Sequence, residues 1–428
     1  MTFESKRLGE LCTKITDGSH YSPKEVVGGV PMYSVKDMTE FGFSDKSVKR
    51  ISEEEYEALV KADSTPRLND VLIAKDGSVL KHVFAIESEI KGALLSSVAI
   101  LRPNLNYIDS NFLVYALQDP ILQNDVLSNY VSGSGVPRIV LKDFKNISIK
   151  TPPLEIQKKI SVILKSLDKR IQLNLAVSQS LEDIAQTIFK SWFIDFDPVK
   201  AKMAGETPAG MDTATAALFP DSFEKTELGL IPSGWKATKL SSSLKLSKST
   251  VKAGPFTEYV PYVPIDQIGA RDIFLKNSMH GFEAKTSLVS FKKDDILFGA
   301  MRPYFHKVVL APFDGTTRTT TFVLRAINPH YLSHSLFTVY QESAVAYATN
   351  NSQGTTIPYA VWNNSFEDLP IILPPEPIAK AFNDIVLPML QFGYSLIAQN
   401  RSLVEIRDGL LPRLISGDLQ IPEEMLAS

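Results

Sequence analysis

Residues 154–193 contain neither glycine nor proline, and they follow the pair Pro152-Pro153. Nothing in the stretch breaks a helix. Ile160, Leu167, Asn174, Leu181 and Ile188 fall seven apart. Ile156, Ile163, Val177 and Ile184 form a second seam, interrupted by Arg170. A seven-residue repeat sustained this long predicts one helix packed along its length against another. At 1.5 Å per residue it would be about 60 Å long, well beyond the helices of a compact domain.

The partner helix is in the same chain. A shift of 222 turns the first seam into Phe382, Met389, Leu396, Leu403 and Leu410, and the proline pair into Pro374-Pro375. The second seam becomes Ile378, Ile385, Phe392, Gln399 and Ile406. Pro388 and Gly393 lie inside this second pattern, which predicts a kink or two helices end to end.

The repeat extends to the segments between. Residues 1–151 read as one mixed domain, with strands at Val71–Ala74 and Ser97–Leu101 and helices near Glu53–Ala62 and Asn111–Asn124. Thr16–Pro23 and Ser132–Pro137 read as Gly- and Ser-rich loops. Asp70-Val71-Leu72-Ile73 returns as Asp295-Ile296-Leu297-Phe298, Leu101-Arg102 as Leu324-Arg325, and Val136-Pro137 as Ile357-Pro358. The spacing is kept while most side chains differ. The expected division is a first domain at 1–151, helix 152–197, an Ala/Thr/Pro/Gly linker at 198–225, a second domain at 226–373, helix 374–416 and a tail at 417–428. The expected class is α+β: two similar mixed domains joined by two long antiparallel helices that form a coiled-coil rod, like a dumbbell with a rough two-fold axis.

Composition excludes rather than identifies. The chain is 44% hydrophobic and 22% charged, with no apolar run long enough to span a bilayer. The segment MTFESKRLGE has no signal-peptide core, and the single Cys12 rules out an internal disulfide, so a cytoplasmic location is the default. A net charge of -3 is unlike a free-standing, non-specific DNA binder. Residues 236–252 nevertheless hold Lys236, Lys239, Lys245, Lys248 and Lys252 without an acid.

Catalytic signatures are missing. There is no phosphate loop of the GxxxxGK[ST] form, no GxGxxG after a strand, and no Asn-Pro-Pro-aromatic run for a flipped adenine. His330 and His334 have no acid or thiol close in sequence to complete a metal site. Asp76, Glu89 and Lys91 only faintly resemble a nuclease arrangement, and a solvated charged turn explains them better. The expectation is no catalytic residue, no metal and no cofactor held by this chain.

Four motifs in order carry a family resemblance over essentially the whole chain. They are Pro152-Pro153-Leu154-Glu155-Ile156-Gln157-Lys158-Lys159-Ile160, Trp192-Phe193-Ile194-Asp195-Phe196-Asp197-Pro198, Glu227-Leu228-Gly229-Leu230-Ile231-Pro232-Ser233-Gly234-Trp235 and Leu410-Leu411-Pro412-Arg413-Leu414-Ile415-Ser416-Gly417. Together they resemble the specificity subunit of a type I DNA restriction–modification system. Lys6-Arg7-Leu8-Gly9-Glu10 replaces the Gly-Trp entry in the first domain, and Pro377 and Ala379 replace a Glu-Gln pair in the second helix.

The resemblance implies that each domain reads one half of a split, asymmetric DNA site while the rod sets the unread spacer. It also implies docking of two modification subunits carrying S-adenosylmethionine, joined by motor–nuclease subunits that use ATP and magnesium. The chain would not be an enzyme alone. The expected DNA-facing residues are Lys36, Lys75, Asp76, Ser78, Ser97, Ser134 and Arg138 in the first domain. In the second they are Lys248, Lys252, Arg302, Tyr304, Arg318, Thr320, Thr355 and Tyr359. Asn174, a polar residue on the seam, is expected to fix helix register. A stand-alone nuclease and a scaffold that holds only proteins are the competing readings.

Overall fold

The structure is a computed structural model and describes residues 3–133, 135–255, 257–354 and 356–421. The chain divides into two units, one holding residues up to Leu173 and from Asn400 onward, the other Asn174–Gln399. The long helices Leu154–Phe189 and Glu376–Ser416 each contribute one part to each unit. No helix among the described residues is long and apolar enough to cross a membrane.

The first unit is built on an antiparallel sheet of β1 (Cys12–Asp17), β2 (Val71–Ala74), β3 (Val83–Ala85) and β4 (Val98–Pro103), in the order β1-β4-β2-β3. Both faces of its centre are covered. Val71, Ile73, Ala99 and Leu101 join the core under the helices, while Leu72, Ala74, Val98 and Ile100 join a second core with Tyr33 and Phe84. Helix α1 (Ser110–Gln118) starts where the Asp109 carboxylate accepts from the Phe112 N–H at 2.9 Å. Helix α2 (Pro120–Asn129) follows directly, capped by Asp119 with proline at its first position.

The second unit repeats this plan. Its sheet is β5 (Leu244–Leu246), β6 (Ile296–Gly299), β7 (Val308–Leu310) and β8 (Thr321–Ala326), in the order β5-β8-β6-β7. Helices α3 (Leu332–Tyr340) and α4 (Glu342–Asn350) start 222 residues after α1 and α2. One ion pair on a buried aspartate recurs in both sheets. Arg102 holds Asp70 through Nε at 2.9 Å and Nη2 at 3.0 Å, and Arg325 holds Asp295 at 2.6 and 2.7 Å.

The long helices run antiparallel in each unit. In the first, Arg407 Nη1 donates to Asp168 Oδ1 at 2.9 Å and Asn400 Nδ2 to the Ile171 carbonyl at 3.2 Å. In the second, Asn174 Nδ2 donates to Gln399 Oε1 at 2.8 Å. Asn174 therefore faces the opposite helix, as a register residue must.

The buried stripe is displaced from the heptad seam expected above. Gln157, Leu164, Ile171, Ser178, Ala185 and Trp192 are buried, spaced by seven. A shift of 222 gives Ala379, Val386, Gly393, Asn400, Arg407 and Leu414, all buried except the half-buried Arg407. Of the expected seam, Ile160, Asn174, Phe382 and Leu396 are buried, while Leu167, Leu181, Ile188, Met389, Leu403 and Leu410 are only half-buried. Ile184, Phe392 and Ile406 are exposed. The reason is that each helix packs on two neighbours, the other long helix and its own domain, so its most buried line lies between them. Polar residues on that line find partners in the domains. Gln157 Nε2 donates to the carbonyls of Tyr107 and Pro152 while its Oε1 accepts from the Asp109 N–H. Asp168 accepts from Tyr115 Oη at 2.6 Å, and Glu182 from Tyr340 Oη at 2.9 Å.

Two other expectations change. The second helix is continuous through Pro388. Pro388 and Asp384, whose carbonyl loses its helical partner there, are both exposed, so solvent can satisfy that carbonyl. Gly393 is a spacer and not a breaker, because a Cβ there would meet Cζ of Phe274 at 2.4 Å. Residues 198–225, expected as a linker, carry structure of their own. They form helices Asp197–Met203 and Thr213–Ala217, and strand Phe223–Thr226 begins a hairpin with Gly229–Pro232. Val199 and Phe219 are fully buried, and Phe219 meets Trp192 edge-on at 5.1 Å. A few anchors outweigh an Ala- and Thr-rich composition. Residues 422–428 of the expected tail lie outside the described residues.

Candidate nucleic-acid interface

The expected contact residues cluster at one set of strand ends in each domain. In the first, the chain leaves β2 through Lys75 and Asp76 and enters β4 from Ser97. The Lys75 N–H donates to the Ser97 carbonyl at 3.0 Å, and the Ile139 N–H to the Lys75 carbonyl at 3.1 Å. Asp76 bridges to Arg138, and the Gly77 N–H reaches the Pro137 carbonyl at 2.7 Å. Lys75, Asp76, Ser78, Ser97 and Arg138 are thereby held together. Lys36 joins them, because the adjacent Val35 N–H donates to Ser97 Oγ at 3.1 Å. Ser134 lies outside the described residues.

Charge within this cluster is not uniform. Lys36 and Arg138 are exposed, and no carboxylate pairs with either among the described residues. Lys75 is 8% exposed and sits between Asp17 at 3.4 Å and Asp76 at 3.2 Å. It cannot act as a free cation. Its ammonium group neutralises the two carboxylates instead. Asp17 and its neighbour His20, 3.4 Å from it, were not singled out from sequence. Only the Gly/Ser character of the Thr16–Pro23 loop pointed there.

The second domain forms the same kind of cluster with different chemistry. The N–H groups of Ala300 and Met301 both donate to the Thr320 carbonyl, and the Arg302 N–H donates to the Pro358 carbonyl at 2.8 Å. Met301 bridges to Tyr359, whose hydroxyl donates to the Thr319 carbonyl. Arg302, Arg318 and Tyr359 are thus brought together, with Tyr304 exposed beside them. Thr320 buries its hydroxyl oxygen and presents none to a ligand. Lys252 is exposed at the end of strand Thr250–Lys252, which pairs with Ser287–Phe291, which pairs with Gly315–Thr317 just before Arg318. Lys248 stands apart, beside Ser247, whose N–H donates to Val323 in the main sheet. Thr355 lies outside the described residues.

The discounted chemistry stays dispersed. His330 meets Glu376 at 2.7 Å, whereas His334 is buried edge-on against Phe193 at 4.8 Å. Burial pushes the His334 imidazole down to about 3. Lys91 pairs with Glu53 and not with Asp76.

Residues 1–183 match the family described as the type I restriction modification DNA specificity domain. The HindI specificity subunit of Haemophilus influenzae is 26% identical over 371 residues, covering 75% of this chain and 80% of that protein. The MjaIX specificity subunit of Methanocaldococcus jannaschii is 26% identical over 332 residues, covering 73% and 70% respectively. The crystal structure of the type I system S subunit from M. genitalium shares the fold at a TM-score of 0.59 and 15% identity, over 99% of this chain and 97% of that one. The match over residues 1–183 and these relatives make the chain similar to the specificity subunits of type I restriction–modification systems.

Proposed function

We propose that the chain reads a bipartite, asymmetric DNA site with one domain per half-site. In this reading the long helices dock two modification subunits, and motor–nuclease subunits complete the restriction complex. S-adenosylmethionine would be held by the modification subunits, with ATP and magnesium on the motor–nuclease subunits. One observation carries the reading. The same sheet-and-helix scaffold occurs twice, and its corresponding loop clusters hold a neutralised Lys75 in one copy and an arginine pair in the other. A repeat that keeps its frame and varies its loops suits two readers of different sequences.

The test is domain exchange. Strands Lys236–Lys239 and Pro370–Leu373 pair with each other, so cuts at 236 and 373 open the second domain at one pinch point. Residues 197–235 stay in place, because Val199, Phe219 and Trp235 pack under the first long helix. Exchanging 236–373 for the matching domain of a relative should change one half of the methylated site and leave the other intact. Methylome mapping of cells with the modification subunit reads the result. Changes in both halves would show that the domains are not independent readers. The purified chain alone is expected to transfer no methyl group, and methylation should appear on adding the modification subunit.

A further inference from the structure

The loops after β2 and β6 share a backbone but not a side chain. In the first domain the turn residue is Gly77, with φ of +73° and its N–H on the Pro137 carbonyl. In the second it is Arg302, with φ of +53° and its N–H on the Pro358 carbonyl. Gly77 occupies this left-handed region freely, while a residue with a Cβ pays roughly 1 kcal/mol there. Arginine lacks the short polar side chain that lets asparagine or aspartate tolerate it. No carboxylate pairs with the Arg302 guanidinium among the described residues, so no ion pair of its side chain offsets that strain. The twin loop shows that the backbone itself needs only glycine.

We propose that Arg302 reads a guanine in the half-site of the second domain, through two parallel N–H groups on O6 and N7 in the major groove. The inference rests on the one-domain-per-half-site reading above. Base reading needs a fixed point of departure, and Arg302 has one. Its N–H is tied to Pro358, the preceding Met301 to Thr320, and Pro303 follows. Tyr304 and Phe305, both about half exposed with rings 4.8 Å apart, continue the loop beyond it. A rigid planar fork suits a guanine edge, whereas phosphate capture asks only for charge. The first domain has Gly77 at this position and makes no such contact there.

The experiment compares the wild-type chain with Arg302→Gly and Arg302→Lys, each assembled with its modification subunit, by methylome mapping and by thermal unfolding of the full chain. Arg302→Gly should relax one guanine in one half-site, with discrimination falling on the order of 10- to 100-fold, while the other half-site is unchanged. Its unfolding temperature should equal or exceed that of the wild type, because the left-handed strain is gone. Arg302→Lys should relax the same position partly, with the strain retained. A full motif kept by Arg302→Gly overturns the proposal. So does a uniform loss of methylation with no relaxed position, which marks a phosphate contact, or a lowered unfolding temperature, which marks a structural role. A wild-type methylome without a two-part motif would instead defeat the underlying reading, and the proposal with it.

Discussion

Arg102→Met should cost the first domain about 3–5 kcal/mol, the usual loss when one partner of a buried ion pair is removed. Asp70 is fully buried and takes two bonds from the Arg102 guanidinium, plus the Arg67 N–H at 2.9 Å. Methionine fills similar space but leaves the carboxylate with a single backbone donor in a dry site. Arg102 also holds Asp63, so the cluster has two acids on one guanidinium. Burial pushes the Asp63 carboxyl up, but hydrogen bonds from Lys14 and Arg102 outweigh it and hold the group below its ordinary value. Asp63 therefore adds stability above its unfolded pKa and loses it as pH falls through its lowered folded pKa. Urea unfolding at neutral pH measures the main effect, and a loss under about 1 kcal/mol would mean that Asp70 finds water or a proton. The matching Arg325→Met should cost less, since the Arg325 side chain is 40% exposed against 18% for Arg102.

Phe382→Ala should destabilise the second unit by about 3–5 kcal/mol, the range for deleting a buried aromatic ring. Its side chain is fully buried where the second long helix meets the end of the first and helix α3. Its ring lies edge-on to Phe193 at 5.0 Å and to Phe337 at 6.2 Å, with Trp192 and Phe189 tilted against it at 5.8 and 5.9 Å. Four rings would border the cavity, and edge-to-face contacts are lost along with the buried area. Phe382→Leu should recover much of the loss, because it keeps most of the volume. If alanine and leucine behave alike under urea, the site collapses and the aromatic contacts contribute little.

Features carried by spacing along the chain are legible in the sequence itself. The 222-residue shift, both long helices and the doubled sheet follow from periodicity and from local marks such as Pro152-Pro153 and Asp70-Val71-Leu72-Ile73. Most loop residues expected at the DNA face do gather at the strand ends, because strand termini fix loop positions. What sequence could not supply depends on partners distant in the chain. The buried line of the long helices lies beside the expected heptad because each domain adds a second neighbour, through Tyr115 for Asp168 and Tyr340 for Glu182. Pro388 is tolerated because its face of the helix meets solvent, and residues 198–225 fold because Val199 and Phe219 find Trp192 and Trp235. Lys75 is legible in sequence as an expected DNA-facing residue, but its pairing with Asp17, far off in the chain, is not. Arg302 is legible in sequence as an expected DNA-facing residue, but not that its backbone is left-handed at the place where its twin is Gly77. Periodicity is a property of the one-dimensional chain, whereas burial, pairing and backbone strain exist only once distant segments meet.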